Sequence, residues 1–129
     1  MAKPILIVGG GPAGLAAAHS LATFGQACIL VEKEETLGGA PILEGYAKLV
    51  PSGEWAKDAI GGMVERAAGH ELVDVRTGTT VTAFSGEAGD FTATLSSGES
   101  VEVSASILCT GFSHFDSSNK PEWGFGTYP

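Results

Sequence analysis

Ile5-Leu6-Ile7-Val8-Gly9-Gly10-Gly11-Pro12-Ala13-Gly14 is the stretch on which the fold turns. An apolar, β-branched run leads straight into Gly-x-Gly-x-x-Gly, formed by Gly9, Gly11 and Gly14, and a run of small residues follows. In that order, strand then glycines then helix, the stretch is the fingerprint of a dinucleotide-binding βαβ unit. Gly9 permits the tight turn out of the strand. Gly11 lets the backbone approach a pyrophosphate with no Cβ in the way, and Gly14 lets the helix pack close to the strand. Pro12 falls in the first helical turn, where its missing N–H costs nothing and its fixed φ starts the helix. A pyrophosphate would lie on the orphan N–H groups and positive dipole end of that helix.

The flanking sequence supplies the context that a lone glycine motif lacks. The spacing predicts a helix over Ala13–Phe24, rich in the strong helix formers Ala and Leu, with Gly25 at its C-terminal end. A second apolar strand, Ala27-Cys28-Ile29-Leu30-Val31, ends at Glu32. An acid about 20 residues beyond the glycines is where the fingerprint expects a carboxylate for the ribose 2′-OH. The plainer reading of Glu32 is a solvated strand end. A carboxylate here also repels a 2′-phosphate. The motif does not separate FAD from NAD, because both carry an ADP half.

At 129 residues the chain suits a single domain, residues 1–129, able to bury a core of its own. Hydrophobic residues make up 43% and charged ones 17%, a globular composition. Seven basic against fifteen acidic residues, net −8, argue against nucleic acid or an anionic membrane as partner, since those contacts need Lys/Arg clusters. Met1-Ala2-Lys3-Pro4 runs directly into the first strand, and no apolar run approaches a membrane-spanning length, so a cytoplasmic protein without membrane insertion is expected. Cys28 and Cys109 each sit in an apolar strand pattern without Cys-x-x-Cys spacing. Both read as buried, reduced thiols, and two cysteines cannot hold an iron–sulfur cluster. No metal site is expected.

Beyond Glu32, a polar loop ends in the glycine pair Gly38-Gly39, either a plain turn or a second close approach of backbone to a ligand. Residues Ala40–Pro51 show no period and read as an irregular connection. Ser52 is a candidate N-cap for a helix from about Glu54 to Ala68, with Ile60, Met63, Val64 and Ala67 on its core face. Gly61-Gly62 weakens that helix or breaks it in two. Short strands follow: Glu71–Arg76, then Val81–Ser85, Phe91–Ser96 and Ser100–Ser104 with turn residues between them, the last three as an antiparallel meander. Ala105–Cys109 returns to the core and Thr110-Gly111 ends it. The tail Phe112–Pro129 holds five of the ten aromatics and reads as ordered.

Taken together, these segments resemble the FAD domain of flavoproteins with two dinucleotide-binding domains: a Rossmann-like α/β fold, a parallel sheet with an inserted three-stranded antiparallel meander. In the second half, Cys109-Thr110-Gly111-Phe112-Ser113-His114-Phe115-Asp116 and Glu122-Trp123-Gly124-Phe125-Gly126-Thr127-Tyr128-Pro129 are similar to the A-type subunit of heterodisulfide reductase. They are equally similar to the A-type subunit of the quinone-interacting membrane-bound oxidoreductase. The resemblance implies FAD as cofactor. It places Gly9, Gly11, Pro12, Ala13 and Gly14 on the pyrophosphate, and Glu32, with Lys33 beside it, on the adenosine ribose. It further places Gly38 and Gly39 on the flavin side, Val81 with its backbone toward the adenine, and Thr110-Gly111 over the middle of the cofactor. The chain departs from the family in lacking its cysteines after the glycine pair and its late Gly-Asp motif, so it resembles an FAD domain without its final strand and helix.

The function expected from this resemblance is electron relay by an FAD-binding protein within a heterodisulfide reductase-like complex. The flavin carries the chemistry, so no acid–base constellation is required. His19, His70 and His114 read as ordinary surface or turn residues. A different class of function, a non-catalytic ADP- or dinucleotide-binding assembly module, uses the same Gly9–Gly14 and Glu32, and a degenerate domain that binds nothing tightly is the third. An open sheet edge after Gly111 implies a homodimer or a partner redox subunit, unless the aromatic tail folds back over it.

Overall fold

A computed structural model describes residues 2–128. The central sheet holds four short parallel strands, β1 (Ile5–Val8), β2 (Cys28–Val31), β3 (Val73–Arg76) and β7 (Ala105–Leu108). Their spatial order is β3-β2-β1-β7. β1 runs in register with both neighbours, Leu6 opposite Ile29 on one side and Ser106 on the other. Every residue of β2 is buried, as expected of an apolar run covered on both faces.

The alternation of side chains along a strand divides the core in two. Ile7 and Leu30 point to one face, where Leu15, Ala18 and Ala22 of α1 (Pro12–Thr23) and Ile60 and Ala67 of α3 (Ala56–Ala68) cover them. Leu6, Ile29 and Val31 point to the other face and meet Ala93, Leu95 and Val103. Those three residues belong to an antiparallel meander of β4 (Val81–Glu87), β5 (Asp90–Leu95) and β6 (Ser100–Val103). The α/β architecture read from the sequence, parallel sheet plus inserted meander, is the one observed.

Several details differ from the sequence reading. α3 starts at Ala56 with Trp55 in the cap position and no side-chain cap. The Ser52 hydroxyl instead accepts from the Glu54 N–H at 3.3 Å, closing a local turn before the helix. The helix runs unbroken through Gly61 and Gly62, because Ile60, Met63, Val64 and Ala67 anchor it to the core on either side of the pair. Within the stretch expected to be irregular, Ala40–Leu43 forms one helical turn, α2, with proline in its first turn. β7 stops at Leu108, so Cys109 lies outside the strand and is half-buried, whereas Cys28 is fully buried.

The tail is ordered into two 3-10 turns, Ser117–Asn119 and Pro121–Trp123, and an isolated bridge joins Phe125 to Tyr128. It does not bury its aromatics: Phe112, Phe115, Trp123, Phe125 and Tyr128 are all exposed. Leu108, on the outermost strand, is 75% exposed.

Candidate functional site

The C-terminal ends of β1, β2 and β7 converge on one edge of the sheet, and the glycine turn sits there. The ladders continue one residue past the strands: Gly9 N–H donates to the Val31 carbonyl and Cys109 N–H to the Val8 carbonyl, both at 2.8 Å. Gly9 has φ +113°, and a Cβ there would run into the Cys109 carbonyl. A Cβ on Gly14 would run into the carbonyl of Gly9. Both glycines are therefore demanded by the packing of turn, helix and strand.

Gly11 is different. A Cβ on it would meet nothing closer than the Gly39 Cα at 3.6 Å, an ordinary contact. The fold itself therefore tolerates a Cβ at this position. Gly11 caps α1, and the first backbone bond into the helix is Leu15 N–H to the Gly11 carbonyl at 2.9 Å. The Ala13 and Gly14 amides therefore have no helical acceptor, and Pro12 has none to satisfy. No acidic residue occupies the first turn. Free amides at a helix end with no acidic residue in its first turn fit a diphosphate.

Glu32 is buried, 7% exposed, and is held by two backbone amides. One carboxylate oxygen accepts from Gly10 N–H at 3.0 Å and the other from Glu34 N–H at 2.9 Å. These bonds fix its orientation beside the glycine turn, and each oxygen keeps a lone pair for a hydroxyl. It is thus not the solvated strand end of the plainer reading. Lys33, next in sequence, is exposed.

The glycine pair folds onto the same turn. Gly38 N–H donates to the Gly10 carbonyl at 2.9 Å, and a Cβ on Gly39 would stand 2.7 Å from the Gly11 Cα. Val81 opens β4 half-buried on the meander core, and Thr79, two residues earlier, donates its N–H to the Glu32 carbonyl at 3.0 Å. Thr110 and Gly111 leave the sheet beside Gly9 and are exposed. Gly9, Gly11, Pro12, Ala13, Gly14, Glu32, Gly38, Gly39, Thr110 and Gly111 are thus gathered at one sheet edge, and Val81 is tied to it through Thr79.

Two grooves of about 220 and 420 Å³ lie along α3, and none of these residues lines either. One pairing escaped the sequence reading. Tyr46 Oη and His114 Nε2 meet at 3.3 Å across 68 positions of chain, and nothing local in the sequence signals it. Burial pushes the thiols of Cys28 and Cys109 above the ordinary cysteine range.

Comparison with known proteins agrees with this geometry. A profile of the FAD dependent oxidoreductase family matches residues 4–101. The A-type subunit of ferredoxin:CoB-CoM heterodisulfide reductase from Methanosarcina acetivorans is 34% identical over 94 residues, 71% of this chain and 12% of that protein. NADH oxidase of Thermoanaerobacter brockii is 39% identical over 85 residues, 63% of this chain and 12% of that protein. The crystal structure of L-proline dehydrogenase from P. horikoshii superposes with a TM-score of 0.74 at 22% identity, covering 84% of this chain and 22% of that one. The chain spans 12% of the length of these two curated relatives.

Proposed function

The chain belongs to the FAD-dependent oxidoreductase family, and from that premise we propose that it is a single FAD-binding domain that relays electrons within a heterodisulfide reductase-like complex. The observation that carries the binding role is the pair of Ala13 and Gly14 amides without helical acceptors, beside a Gly11 that the packing of the fold does not itself require. The fold demands glycine at Gly9 and Gly14, whereas a Cβ on Gly11 would make only an ordinary contact with Gly39, next to the open amides of α1.

In this reading Gly9, Gly11, Pro12, Ala13 and Gly14 hold the pyrophosphate. Glu32 accepts from the adenosine ribose with Lys33 at the rim, and Val81 offers backbone to the adenine. Gly38, Gly39, Thr110 and Gly111 line the half beyond the pyrophosphate. The Glu32 carboxylate, kept in place by Gly10 and Glu34, repels a 2′-phosphate at the same spot. Bound FAD would supply the redox chemistry, and the chain's own residues bind it and set its orientation. A partner redox subunit is part of the proposal, supported by the Methanosarcina relative, which is one subunit of a reductase. So is a cytoplasmic location, supported by two free thiols; among the described residues no helix is long and apolar enough to cross a membrane.

An absorption spectrum of the purified protein, with mass spectrometry of what denaturation releases, tests for flavin directly. Titration of the apo-protein with FAD, NAD and NADP tests selectivity. FAD is expected to bind, and NADP binding tighter than FAD overturns the assignment. Gly11→Val is expected to abolish FAD binding in a chain that stays folded, because its side chain occupies the pyrophosphate space.

A further inference from the structure

The sheet order gives the edge that carries the glycine turn, here called the crevice, two ends. Glu32 leaves β2 on one side of the glycine turn, and Cys109 leaves β7 on the other. A dinucleotide along this edge, with its adenosine at Glu32, directs its other half toward β7. Two segments rise from the turn at that end. One starts at Gly39, against Gly11, and passes through α2 to Tyr46, whose N–H donates to the Pro41 carbonyl at 3.0 Å. The other starts at Cys109, whose carbonyl lies against Gly9, and passes Thr110-Gly111 to His114.

The Tyr46–His114 contact joins the two. The rings stand edge to face, centroids 6.3 Å apart at 61°, and Phe112 packs edge-on to His114 at 5.2 Å. Contacts at Gly11–Gly39, Tyr46–His114 and Cys109–Gly9, joined by the chain between them, make a loop that begins and ends on the glycine turn. The hydroxyl donates to a neutral imidazole nitrogen or accepts from an N–H, so either ring tautomer keeps the joint. Tyr46 is 38% and Phe112 76% exposed, which leaves aromatic surface without protein cover.

We propose that Tyr46, Phe112 and His114 form the outer wall of the crevice and pack against the half of a bound dinucleotide that lies beyond its pyrophosphate. This rests on the dinucleotide reading above. Aromatic side chains suit a flat ring system, and a wall hydrogen-bonded to itself keeps its position when the ligand arrives.

ADP, which lacks that half, separates the wall from the rest of the site. Equilibrium binding of FAD and of ADP is measured for the unsubstituted chain, Tyr46→Ala, His114→Ala and Glu32→Gln, with circular dichroism confirming the fold of each. Tyr46→Ala and His114→Ala are expected to weaken FAD about tenfold and leave ADP within about twofold. Glu32→Gln weakens both ligands. Unchanged FAD affinity in Tyr46→Ala and His114→Ala overturns the wall. Parallel loss of ADP also overturns it, since the pair would then merely support the glycine turn. Equal affinity of the unsubstituted chain for ADP and FAD overturns the wall and leaves the adenylate end of the site standing. Binding of neither ligand overturns the dinucleotide reading itself.

Discussion

Three glycines of one motif carry different physical loads. At Gly9 a side chain would meet the Cys109 carbonyl in a backbone region that favours glycine, and at Gly14 it would meet the Gly9 carbonyl. Gly9→Ala and Gly14→Ala are expected to lower unfolding free energy by about 2 kcal/mol or more, because backbone on both sides must shift. Gly11 has an ordinary φ of −78° and its Cβ would make only an ordinary contact with Gly39, so Gly11→Ala should stay within about 1 kcal/mol, the scale of a changed helix cap. Urea midpoints of the three variants check this ordering. The thiols make a second residue-scale test. Burial raises both, so less thiolate exists near neutral pH than in a free cysteine. Labelling by a small thiol reagent should be slow near neutrality and accelerate as pH rises through the raised range. Cys109, half-buried, should react before Cys28. Rapid labelling of Cys28 in the folded protein would contradict its place under α1.

Among the elements, α3 bears an avoidable weakness. Gly61 and Gly62 lie mid-helix, where each glycine costs about 1 kcal/mol relative to alanine. A Cβ on Gly61 meets nothing within 4 Å, and one on Gly62 meets only the end of the Arg66 side chain at 3.2 Å. Gly61→Ala is expected to stabilise the protein by about 0.5–1 kcal/mol, read as a higher urea midpoint. A loss of stability instead would mean that another surface occupies that space. The meander is tied to the parallel sheet by polar as well as apolar contacts. Arg76, ending β3, reaches Asp74 at 2.8 Å and Glu99 at 2.6 Å, and Glu99 lies in the turn before β6. Part-exposed pairs of this kind contribute little each, so the shared core of Leu6, Ile29 and Val31 with Ala93, Leu95 and Val103 holds the two sheets together.

At the scale of the whole molecule, the outer edge of β7 is where an association surface is expected. Among the described residues no strand pairs beyond it, and Leu108, the last residue of β7, is largely uncovered. Unpaired edges with apolar side chains favour assembly. Leu108→Lys is expected to leave stability within about 0.5 kcal/mol and to raise the concentration at which light scattering reports assembly. An unchanged assembly threshold would contradict a role for this edge in association.

The βαβ unit was legible in the chain itself, because each of its signals is local. An apolar run, a glycine spacing and a helix of Ala and Leu depend on neighbours a few positions away, and Glu32 follows at a fixed distance. The meander was legible for the same reason, through turn residues between alternating runs. α3 was legible as a helix but not as an unbroken one, since tertiary packing of Ile60 and Ala67 overrides the local cost of Gly61-Gly62. Although the motif already assigned Gly11 a role apart from Gly9 and Gly14, only the tertiary structure showed which atoms a side chain would meet at each, because that depends on what lies opposite. It also turned Glu32 inward by bonds from Gly10 and Glu34, and it brought Tyr46 to His114. The Gly10–Glu32 and Tyr46–His114 contacts exist only once parallel strands have set the ends of distant segments side by side, and no periodicity along the chain encodes that meeting.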